Sequence, residues 1–295
     1  MDAADLRVFE AVARIGSMSK AALELNTVQS NVTARIRALE AELGTALFER
    51  SSRGVTLTAA GQRLLPYAGR VGRLLADARR AARDAGEPSG PLVIASLETT
   101  AALRLSSLLA AFAGAYPEVE LSLRTGTSRE LVDAVLDRGA DGAFVCGPVA
   151  HPDLLVEPFF REELVFLTAP SVTGLAELAG QRDLRIVVLR AGCSYRLHLE
   201  AWLARRGIVG LRLLELGTIE AILGCVAAGL GVTLLPSALV GSLREPGRVA
   251  VHPLPPSEGA VETVFVRHRE AYASSALRAF LDLARPTLAR ASAAE

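Results

Sequence analysis

Cysteine is scarce in this chain, and the few present are badly placed for cross-linking. Cys146, Cys193 and Cys225 are odd in number and widely spaced, with no C-x-x-C pair. That pattern argues against a disulfide framework or a thiolate zinc site and points to a reducing compartment, the cytoplasm. The four histidines, His151, His198, His252 and His268, lack metal-ligand spacing. No uninterrupted apolar run reaches ~18 residues, so no segment is expected to span a bilayer. Met1-Asp-Ala-Ala-Asp5 has no basic stretch leading into an apolar one, so no signal peptide is expected. Paired carboxylates, a nucleophile triad and a Gly-rich phosphate loop are also missing from the pattern, which argues against an enzyme and against a cofactor.

Net charge is lacking too. The formal sum is zero, which argues against a uniformly basic nucleic-acid binder. The average hides an asymmetry. Residues 1–86 hold 13 Lys+Arg against 9 Asp+Glu, and the remainder holds 19 against 23. A basic front on an acidic remainder fits nucleic-acid contact confined to the N-terminus. With 51% hydrophobic and 22% charged residues, the 295-residue chain is expected to fold into about two globular domains.

The front of the chain reads as helices. Leu6, Phe9, Val12 and Ala13 share one helical face, Gly16 ends that helix, and Ser17 or Ser19 can cap the next. Ala21, Ala22 and Leu25 are apolar and mostly small, so a second helix can pack closely. Thr27 is placed to cap a third helix, Val28 to about Leu43, with its hydroxyl on free backbone N–H groups. On that helix Val28, Val32, Ile36, Leu39 and Leu43 form one apolar stripe. The opposite face carries Ser30, Thr33, Ala34 and Arg37. It is small and polar with one cation, which suits close approach to a major groove as well as plain solvent. Three helices with a short turn before the last make a helix-turn-helix arrangement.

Leu47-Phe48, the loop Ser51–Gly54 and the alternating Val55-Thr56-Leu57 read as a small hairpin with Arg50 and Arg53 near its tip. Thr58 then caps a long helix to about Gly86, with Pro66 inside it. Leu64, Ala68, Val71, Leu75, Ala78 and Ala82 step by fours and threes along it as a heptad seam. On a helix with no neighbour expected in its own domain, that seam suggests a dimer contact. Glu87–Pro91 is a short linker. Beyond it, strand-like runs (92–96, 119–123, 142–146, 163–168, 185–189, 211–216, 231–235, 261–267) alternate with helical ones (101–115, 128–138, 195–206, 218–228). That alternation indicates α/β with largely parallel pairing in two tandem units, closed by a helix near 270–290.

Taken in order, Asp5-Leu-Arg-Val-Phe9, Gly16-Ser17, Ala21-Ala22, Gln29, Arg35-Ile-Arg-Ala-Leu-Glu40, Leu43-Gly44, Leu47-Phe48-Glu-Arg50 and Leu57-Thr58-x-x-Gly61 resemble a LysR-type transcriptional regulator over essentially the whole chain. The resemblance implies an N-terminal all-α winged helix-turn-helix domain (1–58) and a dimerising linker helix with hinge (59–90). It further implies an α/β effector domain (91–295) of two Rossmann-like, periplasmic-binding-protein-like lobes, lobe I being 91–162 with 267–295 and lobe II 163–266. Crossing strands are expected near 160–165 and 261–267. It implies promoter DNA as partner, contacted by Gln29, Ser30, Asn31, Thr33 and Arg37, with Arg50 and Arg53 of the wing on phosphate or minor groove. Self-association as a homodimer or homotetramer, a small-molecule effector and contact with RNA polymerase belong to the same expectation. Position 34 departs from relatives that carry a basic residue there, so Arg37 and the wing arginines carry more of the affinity. Arg35 flanks the apolar stripe and reads as an inter-helix residue.

Ligands of open parallel sheets bind at strand carboxyl ends. Here those ends supply Thr99 and Thr100, Thr127 and Ser128, Cys146 and Gly147, Cys193, Ser194, Tyr195 and Arg196, and Thr218. Each hydroxyl can simply cap a helix. Their recurrence beside one cleft favours a small-molecule site for a carboxylate or similar anion. The Gly192–Arg196 stretch is similar to a subgroup that includes regulators of glutamate synthase and citrate genes. Two alternatives stay open: a redox-responsive regulator acting through Cys193, with His198 as its nearby base, and a solute-binding protein of the same two-lobed fold. Trp202, with Leu199 and Leu203, reads as core.

Overall fold

The computed structural model describes residues 1–51, 54–178, 183–241 and 247–293. The chain divides into two compact units, Met1–Arg83 and Asp84–Glu295.

In the first unit α1 (Ala3–Ile15) starts from Asp2, which forms a reciprocal capping box with Asp5, and stops at Gly16 in the left-handed region (φ 70°). Ser17 caps α2 (Met18–Glu24) by accepting from the Lys20 N–H. The third helix, α3 (Gln29–Leu43), departs from expectation at its start. Val28 holds the cap position without a side-chain bond, and the Thr27 hydroxyl instead accepts from Asn31 Nδ2 at 2.9 Å. Because the helix begins one residue late, Thr27 lies outside its first turn. Only the middle of the apolar stripe is core: Val32, Ile36 and Leu39 are buried, whereas Val28 is 65% and Leu43 39% exposed. Both are terminal, where the neighbouring helices no longer cover the face.

Strands β1 (Phe48–Ser51) and β2 (Gly54–Leu57) form the expected antiparallel hairpin, pairing Phe48 with Leu57. Glu40 of α3 hangs this hairpin from the helix, its Oε1 accepting from the Leu47 N–H at 2.8 Å and the Phe48 N–H at 3.2 Å. Thr58 accepts from the Gly61 N–H at the start of α4 (Ala59–Arg83), which runs through Pro66. The heptad seam on α4 is not without a neighbour in its own unit. Its front half packs on α1, burying Ala68 and partly covering Leu64 and Val71. Leu75, Ala78 and Ala82 of the rear half are exposed, as are Tyr67 and Leu74.

The second unit follows the α/β expectation, with a more mixed sheet. In chain order it runs β3 (Gly90–Ser96), α5 (Glu98–Thr100), a π-helical turn (Ala101–Leu105), α6 (Ser106–Ala115), β4 (Val119–Thr125), α7 (Ser128–Leu136), β5 (Gly142–Cys146) and β6 (Leu154–Thr168). It continues with β7 (Arg185–Val188), α8 (Ser194–Arg205), β8 (Arg212–Glu215), α9 (Ile219–Ala227), β9 (Thr233–Pro236), α10 (Ser237–Gly241), β10 (Ala250–Pro253), α11 (Pro256–Gly259), β11 (Ala260–His268) and α12 (Ser275–Ala293). Among the described residues seven strands share one sheet in the order β10-β6-β11-β5-β3-β4, with β9 also on β6; β7 and β8 pair separately. Parallel pairing holds for β3 with β4 and β5, and for β7 with β8. Every pairing of β6 and β11 is antiparallel, which corrects the expectation of a largely parallel sheet. These two are the crossing strands. The first part of β6 lies on β11, and its end, from Leu164, lies on β9 and β10. The register between β6 and β11 shifts between Thr263 and Val264, opposite Pro158 and Phe160. A bulge there tolerates Pro158, which has no N–H to give the ladder.

Phe112, Phe144, Phe265 and Phe280 build one apolar cluster with α12. The larger cluster surrounds Phe166, Trp202 and Val226 and extends to Val145 and Val266. Trp202 is core as expected, 5.0 Å from Phe166, with its N–H on Glu258 at 2.7 Å. Among the described residues no helix is long and apolar enough to cross a membrane.

Candidate functional site

Two candidate surfaces stand out, one in each unit. On α3 the core-facing residues fix which face looks outward. Gln29, Ser30, Asn31, Ala34 and Arg37 are exposed, and Thr33 is half-buried. Gln29 is held by Ser19, whose hydroxyl donates to Gln29 Oε1 at 2.8 Å, and Asn31 by Thr27. The side chains of Arg37 and Ser30 make no hydrogen bond or ion pair with any described residue, so their donors face outward unspent. Arg35 does what its flank position predicts, pairing with Asp5 at 2.8 Å to tie α3 to α1. Of the wing residues, Arg53 lies outside the described residues, as does the side chain of Arg50, although its backbone sits in β1 opposite Val55.

In the second unit a cavity of about 280 Å³ opens where β3, β4, β7 and β8 end. Its wall includes Thr99, Thr127, Cys193 and Tyr195 of the expected set, joined by Thr125, Gly126 and Gly217. Glu98 and Arg190 supply the charges, and Leu97, Leu189 and Leu216 the apolar surface. Thr100, Ser128, Cys146, Gly147, Ser194, Arg196 and Thr218 do not line it. Several of these are spent elsewhere. Ser194 donates to Ser128 at 2.7 Å, joining α8 to α7. Arg196 pairs with Glu200 at 2.9 Å and Glu215 at 3.0 Å. Thr218 caps α9, accepting from the Ala221 N–H. Thr127 also caps, forming a reciprocal box with Glu130 at the start of α7. Capping therefore accounts for two of the recurring hydroxyls.

Arg190 leans on Glu130 at 3.2 Å, and both are more than half exposed. The Glu130 carboxyl is held below its usual range, first by the Thr127 N–H and also by Arg190. Behind the cavity a hydrogen-bonded run leads to the crossing strands: Thr99 Oγ1 meets the Tyr195 hydroxyl at 3.1 Å, and that hydroxyl donates to Glu162 at 3.1 Å. Glu162 is 3% exposed and also accepts from Thr263 of β11. Burial pushes the Tyr195 phenol well above its ordinary value, so it stays protonated and able to donate. The thiols are likewise kept neutral. Burial, with Glu162 adding, pushes Cys146 up to about 12, and burial raises Cys193. His198 stands 4.0 Å from Cys146 Sγ, with its own pKa lowered by burial and then by Arg205. This arrangement can bind a small polar molecule. It does not activate a thiolate, which requires a lowered thiol pKa.

Sequence reasoning passed over Glu98, Thr125 and Arg190, although each stands within two residues of a strand's carboxyl end, the position that named their neighbours. Glu162 gave no such signal, since the charges around it (Arg161, Glu163) resemble a solvent-facing stretch.

Comparison with known proteins accounts for both units. Residues 3–62 match the family model described as bacterial regulatory helix-turn-helix protein, lysR family, and residues 85–289 match the LysR substrate binding domain. The HTH-type transcriptional regulators YusT and GltR of Bacillus subtilis are similar, at 47% and 44% identity over 96% and 94% of this chain and 95% and 93% of theirs. Among solved structures, CbnR complexed with its target DNA is 27% identical, with a TM-score of 0.53 over 98% of this chain and all of its own. Full-length OxyR from Pseudomonas aeruginosa shares the fold, with a TM-score of 0.69 at 22% identity over 98% and 94% of the two chains. The chain belongs to the LysR family of DNA-binding transcriptional regulators, with a helix-turn-helix domain followed by a substrate-binding domain.

Proposed function

We propose that this regulator binds promoter DNA as a homodimer or homotetramer and that a small anionic metabolite in the cavity sets its activity. Gln29, Ser30, Asn31, Thr33 and Arg37 read base edges from α3, while Arg50 and Arg53 of the wing hold phosphate or minor groove. The observation that carries this is the outer face of α3, where short polar side chains surround an exposed Arg37 with unspent donors. The bared apolar rear of α4, with Leu74 54% and Leu75 41% exposed, supports self-association through that helix. Arg190 on the cavity wall supports an anion, and the raised Cys193 thiol favours ligand binding over redox sensing. A cytoplasmic setting, contact with RNA polymerase and the lack of catalysis follow from the same role.

Fluorescence anisotropy on the DNA upstream of the protein's own gene tests the reading. The wild type binds tightly at low salt, and Arg37→Ala weakens binding by ~1–3 kcal/mol. Unchanged affinity in the variant would remove α3 from the interface.

A further inference from the structure

The cavity that binds the anion in the reading above also carries a negative charge of its own. Glu98, in the first turn after β3, lines it, is exposed, and makes no hydrogen bond or ion pair with any described residue through its carboxylate. Arg190, which follows β7, lines it from the other lobe. A helix favours an acid in its first turn whatever lies opposite, but this acid also faces the ligand space. A purely anionic ligand would meet repulsion from Glu98 that Arg190, already partly engaged by Glu130, offsets only in part. A ligand with both signs meets neither problem.

We propose that the effector is a zwitterion, a compact α-amino acid whose carboxylate takes the free N–H groups of Arg190 and whose ammonium takes Glu98. The proposal rests on the effector reading given above, keeps its carboxylate on Arg190 and adds an ammonium on Glu98. Size points the same way. At about 280 Å³ the cavity falls just below the ~300–1,000 Å³ typical of drug-sized sites, so the ligand is small. The hydroxyls of Thr99 and Thr125 can orient the polar head, and Leu97, Leu189 and Leu216 leave a short apolar wall for a side chain. The two charges come from different lobes, so the zwitterion bridges them. Thr99 then connects the bound head, through Tyr195, to Glu162 on the crossing strand β6.

The test uses full-length protein, thermal shift against the proteinogenic L-amino acids, and calorimetric titration of each hit. Each hit is compared with its α-hydroxy acid, which lacks the ammonium, and with its decarboxylated amine. The expected result is at least one amino acid that binds, with both analogues weaker by about tenfold or more, as for a lost charge-assisted hydrogen bond. Glu98→Gln, an isosteric change at an exposed position, then binds the amino acid and the hydroxy acid about equally. Arg190→Gln loses both acids. A hydroxy acid or simple carboxylate that binds as tightly as the amino acid overturns the zwitterion while leaving the anion site standing. Unchanged discrimination in Glu98→Gln overturns it as well. If neither the amino acids nor their hydroxy acids bind, the effector reading of this cavity falls with it.

Discussion

Glu40 is one of the groups that hold the wing in place, and two replacements of it separate the loss of charge from the loss of the acceptor. Its Oε1 accepts from two backbone N–H groups, those of Leu47 and Phe48, at the point where the chain turns into β1. Neither N–H can be satisfied by α3 itself. Hydrogen bonds to a charged acceptor contribute ~1.5–3 kcal/mol each, and both are only partly buried, so water recovers part of the loss. Glu40→Ala is therefore expected to destabilise the protein by about 2–4 kcal/mol. Glu40→Gln keeps a carbonyl acceptor at roughly half the strength and should cost about 1–2 kcal/mol. Urea denaturation of the full-length variants, followed by a signal from the first unit, reads this difference. Operator binding should weaken in the same order, because the wing loses its tether before the helix loses any contact. Equal stability of the Ala and Gln variants would refute the reasoning, since the tether would then contribute only bulk.

Gly142 of β5 lies where a Cβ would stand 2.1 Å from the ring of Phe265, itself packed against Phe144 and Phe159. Gly142→Ala should therefore cost ~1–3 kcal/mol by overpacking, read as a drop in Tm with the fold retained by circular dichroism. Asp84 accepts from the Ser275 and Gly86 N–H groups and from the Tyr272 hydroxyl, which hold its carboxyl well below the usual range. A depressed carboxyl stabilises the fold above its unfolded pKa, and that contribution is lost as pH falls toward the folded value. The stability gap between wild type and Asp84→Asn should be constant from pH 7 to 5 and shrink below about pH 4, measured by thermal melts. Cys146 and Cys193 are buried with raised thiol pKa values. Iodoacetamide at pH 8 should spare both until denaturant is added, and rapid native alkylation of Cys193 would revive a redox role.

Much of the fold was legible from periodicity because each element there buries one face. The stripe Val32, Ile36 and Leu39 announced α3, and Val55-Thr56-Leu57 announced the wing. Elsewhere the local pattern misled for physical reasons. Only 163–168 of β6 looked like a strand, since Pro158 and the run of charges from Arg161 to Glu163 read as loop, yet a bulge against β11 accommodates the proline. The four-residue edge strand β10, which ends at Pro253, carried too little pattern to register. The α4 seam looked unpartnered because no spacing rule reveals that α1 covers its front half.

The sequence alone determined the family, the outward face of α3 and the strand ends around which a ligand would gather. These follow from side-chain period and from which residues begin a helix, both properties of neighbours in the chain. The tertiary structure decided which hydroxyls merely cap helices, that Glu98 and Arg190 face one cavity, and that Glu162 is buried behind it. Those facts depend on β3, β4, β7 and β8 ending together around one small cavity. Their ends lie up to about a hundred and twenty residues apart in the chain, and only the packing of the two lobes brings them within reach of one ligand.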